Sequence, residues 1–213
     1  MTAAPRKSTS GGAGEICTVR IELSDTDPLI WRQVDVPTLL TLPDLHEVIQ
    51  IVMGWQDYHL WEFTIARQRY GLPSDEDFDA GPDHDASKVR LRDVLTPRRT
   101  TLGYTYDFGD NWKLRLTVTS RRPAEPDTSY PRYVAGERNA PPEDCGGVYG
   151  FYKKLKTRDD PNDPDYKDIK RWLGTYDPNV VDEATIRATL GLVAARRTRR
   201  RRRAAKRESD GAV

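Results

Sequence analysis

Only two cysteines, Cys17 and Cys145, occur in 213 residues, too few for a disulfide framework. No apolar run approaches the ~20 residues that cross a bilayer. Residues 1–14 hold no apolar segment of the signal-peptide kind and read as a disordered leader. These absences argue against a disulfide-knotted secreted module and against a helical membrane protein. The expectation is a reduced, cytoplasmic protein with no membrane partner. Histidine is also scarce: His46, His59 and His84 are all there are, which limits metal and general-base chemistry. The hydrophobic fraction is 37% and the charged fraction 31%. Polar ends and an acidic loop pull both averages, so the middle of the chain still holds enough apolar residues for one core.

What is present in excess is positive charge at one end. Arg196, Arg197, Arg199, Arg200, Arg201, Arg202, Arg203, Lys206 and Arg207 place nine basic residues in twelve positions. With Glu208 and Asp210 they leave +7 after Ala194, so the overall +1 conceals a charge of −6 on residues 1–194. A run that repels itself and has little to bury is expected to be disordered, which divides the chain into residues 1–14, a single domain over 15–193, and a tail over 194–213. Clustered arginines neutralise phosphates and release counterions, so DNA or RNA is the partner the tail suggests. A solubility tail, or a contact with the protein's own acidic body, is the competing reading.

Residues 15–23 alternate, with Cys17, Val19, Ile21 and Leu23 on one face and Thr18, Arg20 and Glu22 on the other. This predicts a half-buried strand, returned after a turn by residues 29–36 as a hairpin. Thr41, Pro43 and Asp44 open a helix whose stripe is Leu45, Val48, Ile49, Val52 and Met53, and Gly54 is its stop. Residues 59–66 read as a strand and 73–87 as a loop. Leu102, Tyr104, Tyr106 and Phe108 share a face, and a turn at Gly109-Asp110-Asn111 leads to a second hairpin strand over 112–119. Residues 123–142 are proline-rich coil with a strand near 130–134, and helices follow at 148–155, 166–173 and 183–192. The expected fold is α+β: an antiparallel sheet of two hairpins, one early helix, and a C-terminal group of helices on one side.

Chemistry-bearing residues concentrate in Tyr104 through Trp112 and in Pro141-Pro142-Glu143-Asp144-Cys145-Gly146-Gly147. Together with Ile30-Trp31-Arg32, the helix from Leu45 to Trp55, His59-Leu60-Trp61-Glu62-Phe63 and Trp172-Leu173-Gly174, they resemble the plasmid pRiA4b ORF-3-like family over most of the chain. The resemblance implies a protein of plasmids and mobile elements, with some relatives labelled transposon passengers. Many relatives carry histidines where this chain has Trp61 and Leu114, and others near Asp163 and Tyr166. The resemblance therefore implies that any metal site built on those histidines is lost here.

The candidate catalytic residues are Asp107, Asp110, Cys145 and His59, and the candidate cleft residues are His46, Trp61, Tyr106, Trp112, Glu143 and Asp144. Paired carboxylates serve as acid and base, and a thiol at a helix start is activated when a histidine stands beside it. The structural alternative has Gly109 supplying turn dihedrals, Asp110 or Asn111 bonding nearby amides, Asp144 capping a helix, and Cys145 filling core. A metal on His46, His59 and Cys145 or Asp107 requires those side chains to converge. No metal or cofactor is assigned. The acidic stretch Asp75, Glu76, Asp77, Asp79, Asp83 and Asp85 lacks the EF-hand pattern and reads as a solvated loop. Two functions remain: a non-catalytic binding or accessory protein using its aromatic sheet and basic tail, with nucleic acid or a protein as partner, or a hydrolase working from a carboxylate, cysteine and histidine cleft.

Overall fold

The computed structural model describes residues 14–73 and 81–210. The strands are β1 (Glu15–Leu23), β2 (Ile30–Pro37), β3 (Trp61–Ile65), β4 (Gln68–Gly71), β5 (His84–Asp85), β6 (Thr101–Tyr106), β7 (Trp112–Pro123) and β8 (Arg132–Glu137). The helices are α1 (Leu42–Met53), α2 (Leu91–Val94), α3 (Gly147–Asp159), α4 (Tyr166–Leu173) and α5 (Glu183–Asp210), with one 3-10 turn at Ala86–Lys88. All eight strands form one sheet in the order β5-β4-β3-β6-β7-β1-β2-β8. Every pairing is antiparallel except β4 with β5.

The α+β class stands, but the sheet is larger than two hairpins. The first hairpin, β1–β2, and the second, β6–β7, are joined edge to edge by β1 and β7, and β3–β4 extend one flank while β8 extends the other. Gln68–Gly71 escapes the alternation rule because only Gly71 in it is buried, as befits a strand near the sheet edge.

One face of the sheet is apolar. Cys17, Val19, Ile21 and Leu23 of β1, Val34 and Val36 of β2, Tyr104 and Tyr106 of β6, and Leu114 and Leu116 of β7 all join one core with Leu45, Val48, Ile49 and Val52 of α1. Phe151 of α3 and Ile186 and Leu190 of α5 close the same core. Burying each such side chain contributes about 1.5–3 kcal/mol relative to exposure. The helix α1 begins where Thr41 and Asp44 exchange capping hydrogen bonds of 3.3 and 3.2 Å, and ends at Gly54 in the left-handed region. At its C-terminal end the buried Arg32 guanidinium donates to the carbonyl of Val52 (2.8 Å), and also to those of Trp31 (2.8 Å) and Arg138 (2.7 Å). Burial lowers the Arg32 pKa, and Tyr133, Tyr176 and Glu183 act against that shift.

The opposite face is polar. There Asp35, only 2% exposed, accepts from Thr18 (2.7 Å), Arg122 (2.8 Å) and Arg132 (2.9 Å), while Arg20 lies 4.0 Å over the Trp31 ring.

The basic segment is not coil. Helix α5 starts at Glu183 and runs through the arginine run to Asp210, where the charge run alone predicts a disordered tail from residue 194. Arginine, alanine and lysine are good helix formers, and the docked first turns remove the nucleation cost that a free peptide would face. The leader residues 1–13 and the acidic residues Asp75, Glu76, Asp77 and Asp79 lie outside the described part of the chain.

Candidate functional site

The turn between β6 and β7 is built by Asp107. Its backbone is left-handed (φ 55°), as is that of Asn111 (φ 56°), whereas Gly109 is not in the left-handed region. The glycine is therefore not the dihedral-supplying residue expected of it. Asp107 Oδ1 accepts from the amides of Gly109 (2.9 Å) and Asp110 (3.3 Å), and the Asp107 amide donates to Leu60 O (2.9 Å). These bonds tie the turn to the segment entering β3 and leave Oδ2 free to face His59, whose Nε2 lies 3.6 Å away.

Residues 141–147 close over this turn. Pro141 O accepts from Trp55 Nε1 (3.0 Å), and Glu143 accepts from the Tyr106 hydroxyl on one oxygen and from the Gln56 amide (2.9 Å) on the other. Asp110 Oδ2 accepts from the amide of Gly146, the N-cap of α3, at 3.0 Å. The carboxylate at the start of α3 is thus that of Asp110, not Asp144 as the sequence suggests. A Cβ on Gly147 would stand 2.5 Å from Asp110 O, so only glycine permits this approach. Asp144, itself left-handed (φ 57°), is released to the surface and brings Oδ1 to 3.3 Å from His59 Nε2.

His59, Asp107 and Asp144 thereby form, among the described residues, a cluster whose potential ligand atoms all lie within 4.8 Å of one another. The His59 ring meets Tyr106 edge-on at 5.7 Å. Its Nε2 is buried yet has no hydrogen-bond partner. Asp107 is 10% exposed and Asp144 70% exposed at the side chain, so the cluster opens on Asp144's side.

The other candidates fall elsewhere. Cys145 is fully buried, its Sγ faces Gly147 O at 3.9 Å, and burial with Asp110 nearby pushes its thiol up to about 12. A thiol held protonated in the core is not an activated nucleophile. His46 is buried on α1, where its ring nitrogens contact the Tyr104 hydroxyl (2.7 Å) and Asp57 (2.8 Å) and its ring stacks on Trp61 at 4.4 Å. Burial lowers its pKa against the pull of Asp57. It does not meet His59 or Cys145 in a common ligand set. Tyr106 and Trp112 are core residues, packed with Trp55 at 5.0 and 6.0 Å, and do not line an open cleft.

The basic residues divide into two groups. Arg196 reaches both carboxylate oxygens of Glu47 (2.6 Å) and Arg197 reaches Asp44 (2.8 Å), clasping α5 to α1. Asp44 is the same residue that caps α1; burial raises its pKa, but Arg197 and Thr41 together hold it low. Beyond this clasp Arg199, Arg200, Arg202, Arg203 and Arg207 are exposed. No helix among the described residues is long and apolar enough to cross a membrane.

The resemblance drawn from these blocks extends over most of the chain. An uncharacterised protein, y4hQ of Sinorhizobium fredii, is 31% identical over 191 residues, spanning 88% of this chain and 97% of its own. The crystal structure of MM3350 from Methanosarcina mazei, a protein of unknown function, superposes with a TM-score of 0.73 at 34% identity, covering 80% of this chain and 96% of that one. Residues 15–185 match the family described as plasmid pRiA4b ORF-3-like protein. The aromatic hairpin stitched to the proline–glycine block thus belongs to a shared body, and the chain is a member of the plasmid pRiA4b ORF-3-like family.

Proposed function

We propose that this protein is a non-catalytic nucleic-acid-binding accessory protein, and that duplex DNA is the ligand of its arginine helix. The observation that carries this reading is the continuity of α5 past the Arg196–Arg197 clasp, with Arg199, Arg200, Arg202, Arg203 and Arg207 exposed on a preformed helix. Residues 199–210 extend about 18 Å at the α-helical rise. An α-helix enters the major groove of B-form DNA but not the deep, narrow major groove of double-stranded RNA. Consecutive arginines face all sides of a helix, which favours phosphate contacts over base reading. The arginine run lies beyond residue 185, where the family match ends, so it is an extension of the matched body. A family described from a plasmid reading frame supports service to a mobile element as the context.

The clasp sets the truncation. A chain ending after Thr198 keeps Arg196 and Arg197 on α1 and removes only the projecting part. Binding of both chains to duplex DNA and duplex RNA is measured across salt concentrations. The full chain is expected to bind DNA with log–log salt slope of about −4 to −5, near −0.9 per neutralised phosphate. The truncated chain is expected to lose at least about tenfold in affinity and most of the slope. Equal binding by the two chains would overturn the reading.

A second reading, a hydrolase, is favoured by the approach of His59 to Asp107 and Asp144, a base beside two carboxylates. Cys145 has no part in it, being buried and protonated. Turnover of activated ester or phosphodiester substrates that is lost in His59→Gln would support this reading.

A further inference from the structure

We infer that His59, Asp107 and Asp144 form a zinc-binding site with one open coordination position. This inference is independent of the arginine helix. Three elements deliver the ligands: the segment before β3 supplies His59, the β6–β7 turn supplies Asp107, and the segment before α3 supplies Asp144.

The geometry suits a metal ion. His59 Nε2 stands 3.3 Å from Asp144 Oδ1 and 3.6 Å from Asp107 Oδ2, and it forms a hydrogen bond with neither. A tetrahedral ion with Zn–N and Zn–O bonds of about 2.0–2.1 Å holds neighbouring ligand atoms roughly 3.4 Å apart. The two separations bracket that edge length. A metal bond would give this imidazole nitrogen the partner that hydrogen bonding does not supply.

The donor set fits the ion. Imidazole with two carboxylates suits zinc and other first-row divalent ions, and three protein ligands with a fourth position left to water is the layout of an open zinc site. Asp107 is pre-aimed, since two backbone amides hold its Oδ1 and thereby orient Oδ2. Asp144, exposed and left-handed, leaves the fourth position accessible from solvent.

The test uses the full chain freed of metal with a chelator. Zinc is titrated by calorimetry, and cobalt(II) is added separately for its visible absorption. The expected result is one zinc per chain and intense four-coordinate cobalt bands. Both are expected to weaken at least about tenfold in Asp144→Asn and His59→Gln. Asp144→Asn changes an exposed side chain and keeps the test valid where substitution at the tighter Asp107 turn unfolds the protein. His84→Gln, on β5, is expected to leave binding unchanged. Failure of the full chain to take up zinc at millimolar concentration overturns the proposal. So does binding that Asp144→Asn and His59→Gln leave intact, or that His84→Gln abolishes.

Discussion

Gly147 and Gly191 show how one methyl group has opposite effects in two settings. At Gly147 a Cβ meets Asp110 O at 2.5 Å on a backbone with φ +66°, and the listener to that clash is main chain that cannot rotate away. Gly147→Ala is expected to destabilise by about 2–4 kcal/mol and to loosen the His59 cluster by pushing residues 141–147 off the β6–β7 turn. Gly191 in α5 meets nothing within 4 Å, so Gly191→Ala is expected to stabilise by about 0.5–1 kcal/mol through helix propensity alone. Urea denaturation of both variants checks the pair, and equal shifts of the same sign would refute the argument. Asp35 supplies the pH test. Burial raises its pKa, but hydrogen bonds from Arg122, Thr18 and Arg132 overcome this and hold it low. Because the folded carboxyl titrates below the unfolded value of about 3.9, its contribution is complete above that pH and is lost as the pH falls toward the folded pKa. Asp35→Asn is expected to cost about 1–3 kcal/mol at neutral pH and to flatten the loss of stability below pH ~4, read from melting temperature against pH. Of the candidate residues, His59 and Asp107 are legible in the sequence as catalytic candidates and Asp144 as a cleft residue. Their convergence is not, because it depends on two left-handed aspartates and on the Asp107–Leu60 backbone bond that joins distant segments.

Helix α5 has a docked part and an exposed part, and they divide at Thr198. Ile186, Leu190, Val193 and Ala194 are buried, and the clasps to Glu47 and Asp44 follow one turn later. A chain ending after Thr198 is expected to melt within about 2 °C of the full chain. One ending after Ala194 loses both clasps and is expected to be about 1–2 kcal/mol less stable, each partly exposed pair being worth up to about 1 kcal/mol. Equal melting of the two truncations would show that the clasps contribute nothing. The run of arginines reads as self-repelling coil when considered alone, and local charge does dominate in a free peptide. Docking decides otherwise here, because propagation of an anchored helix adds one hydrogen bond per residue without a new nucleus. Elements with strong local signals were readable directly. The alternation of residues 15–23 coincides with β1, and the Thr41–Asp44 box with the start of α1. Strand β8 at Arg132–Glu137 and strand β4 at Gln68–Gly71 have weak alternation, and what makes them strands is a neighbouring edge to pair with.

At the scale of the molecule, the order of strands places the N-terminal β1 in the interior of the sheet, paired on both sides by β2 and β7. Nothing local can release it: Cys17, Val19, Ile21 and Leu23 are all 0% exposed and contact the core that α1, α3 and α5 complete. The two flanks are unequal. The short β4 and β5 close one end of the sheet with few buried side chains, while Arg199, Arg200, Arg202, Arg203 and Arg207 of α5 are exposed. Opening free energies are therefore lowest at the exposed ends of the fold and rise to the global value at the centre. Native-state hydrogen exchange is expected to protect the amides of β1, β7 and β6 longest, to release β4 and β5 earlier by sub-global opening, and to exchange residues 199–210 first. Added duplex DNA is expected to slow exchange only in that last segment, and added zinc only around the β6–β7 turn and residues 141–147. Protection that instead rises uniformly with either ligand would mean that helix and cluster are not separate sites on one body.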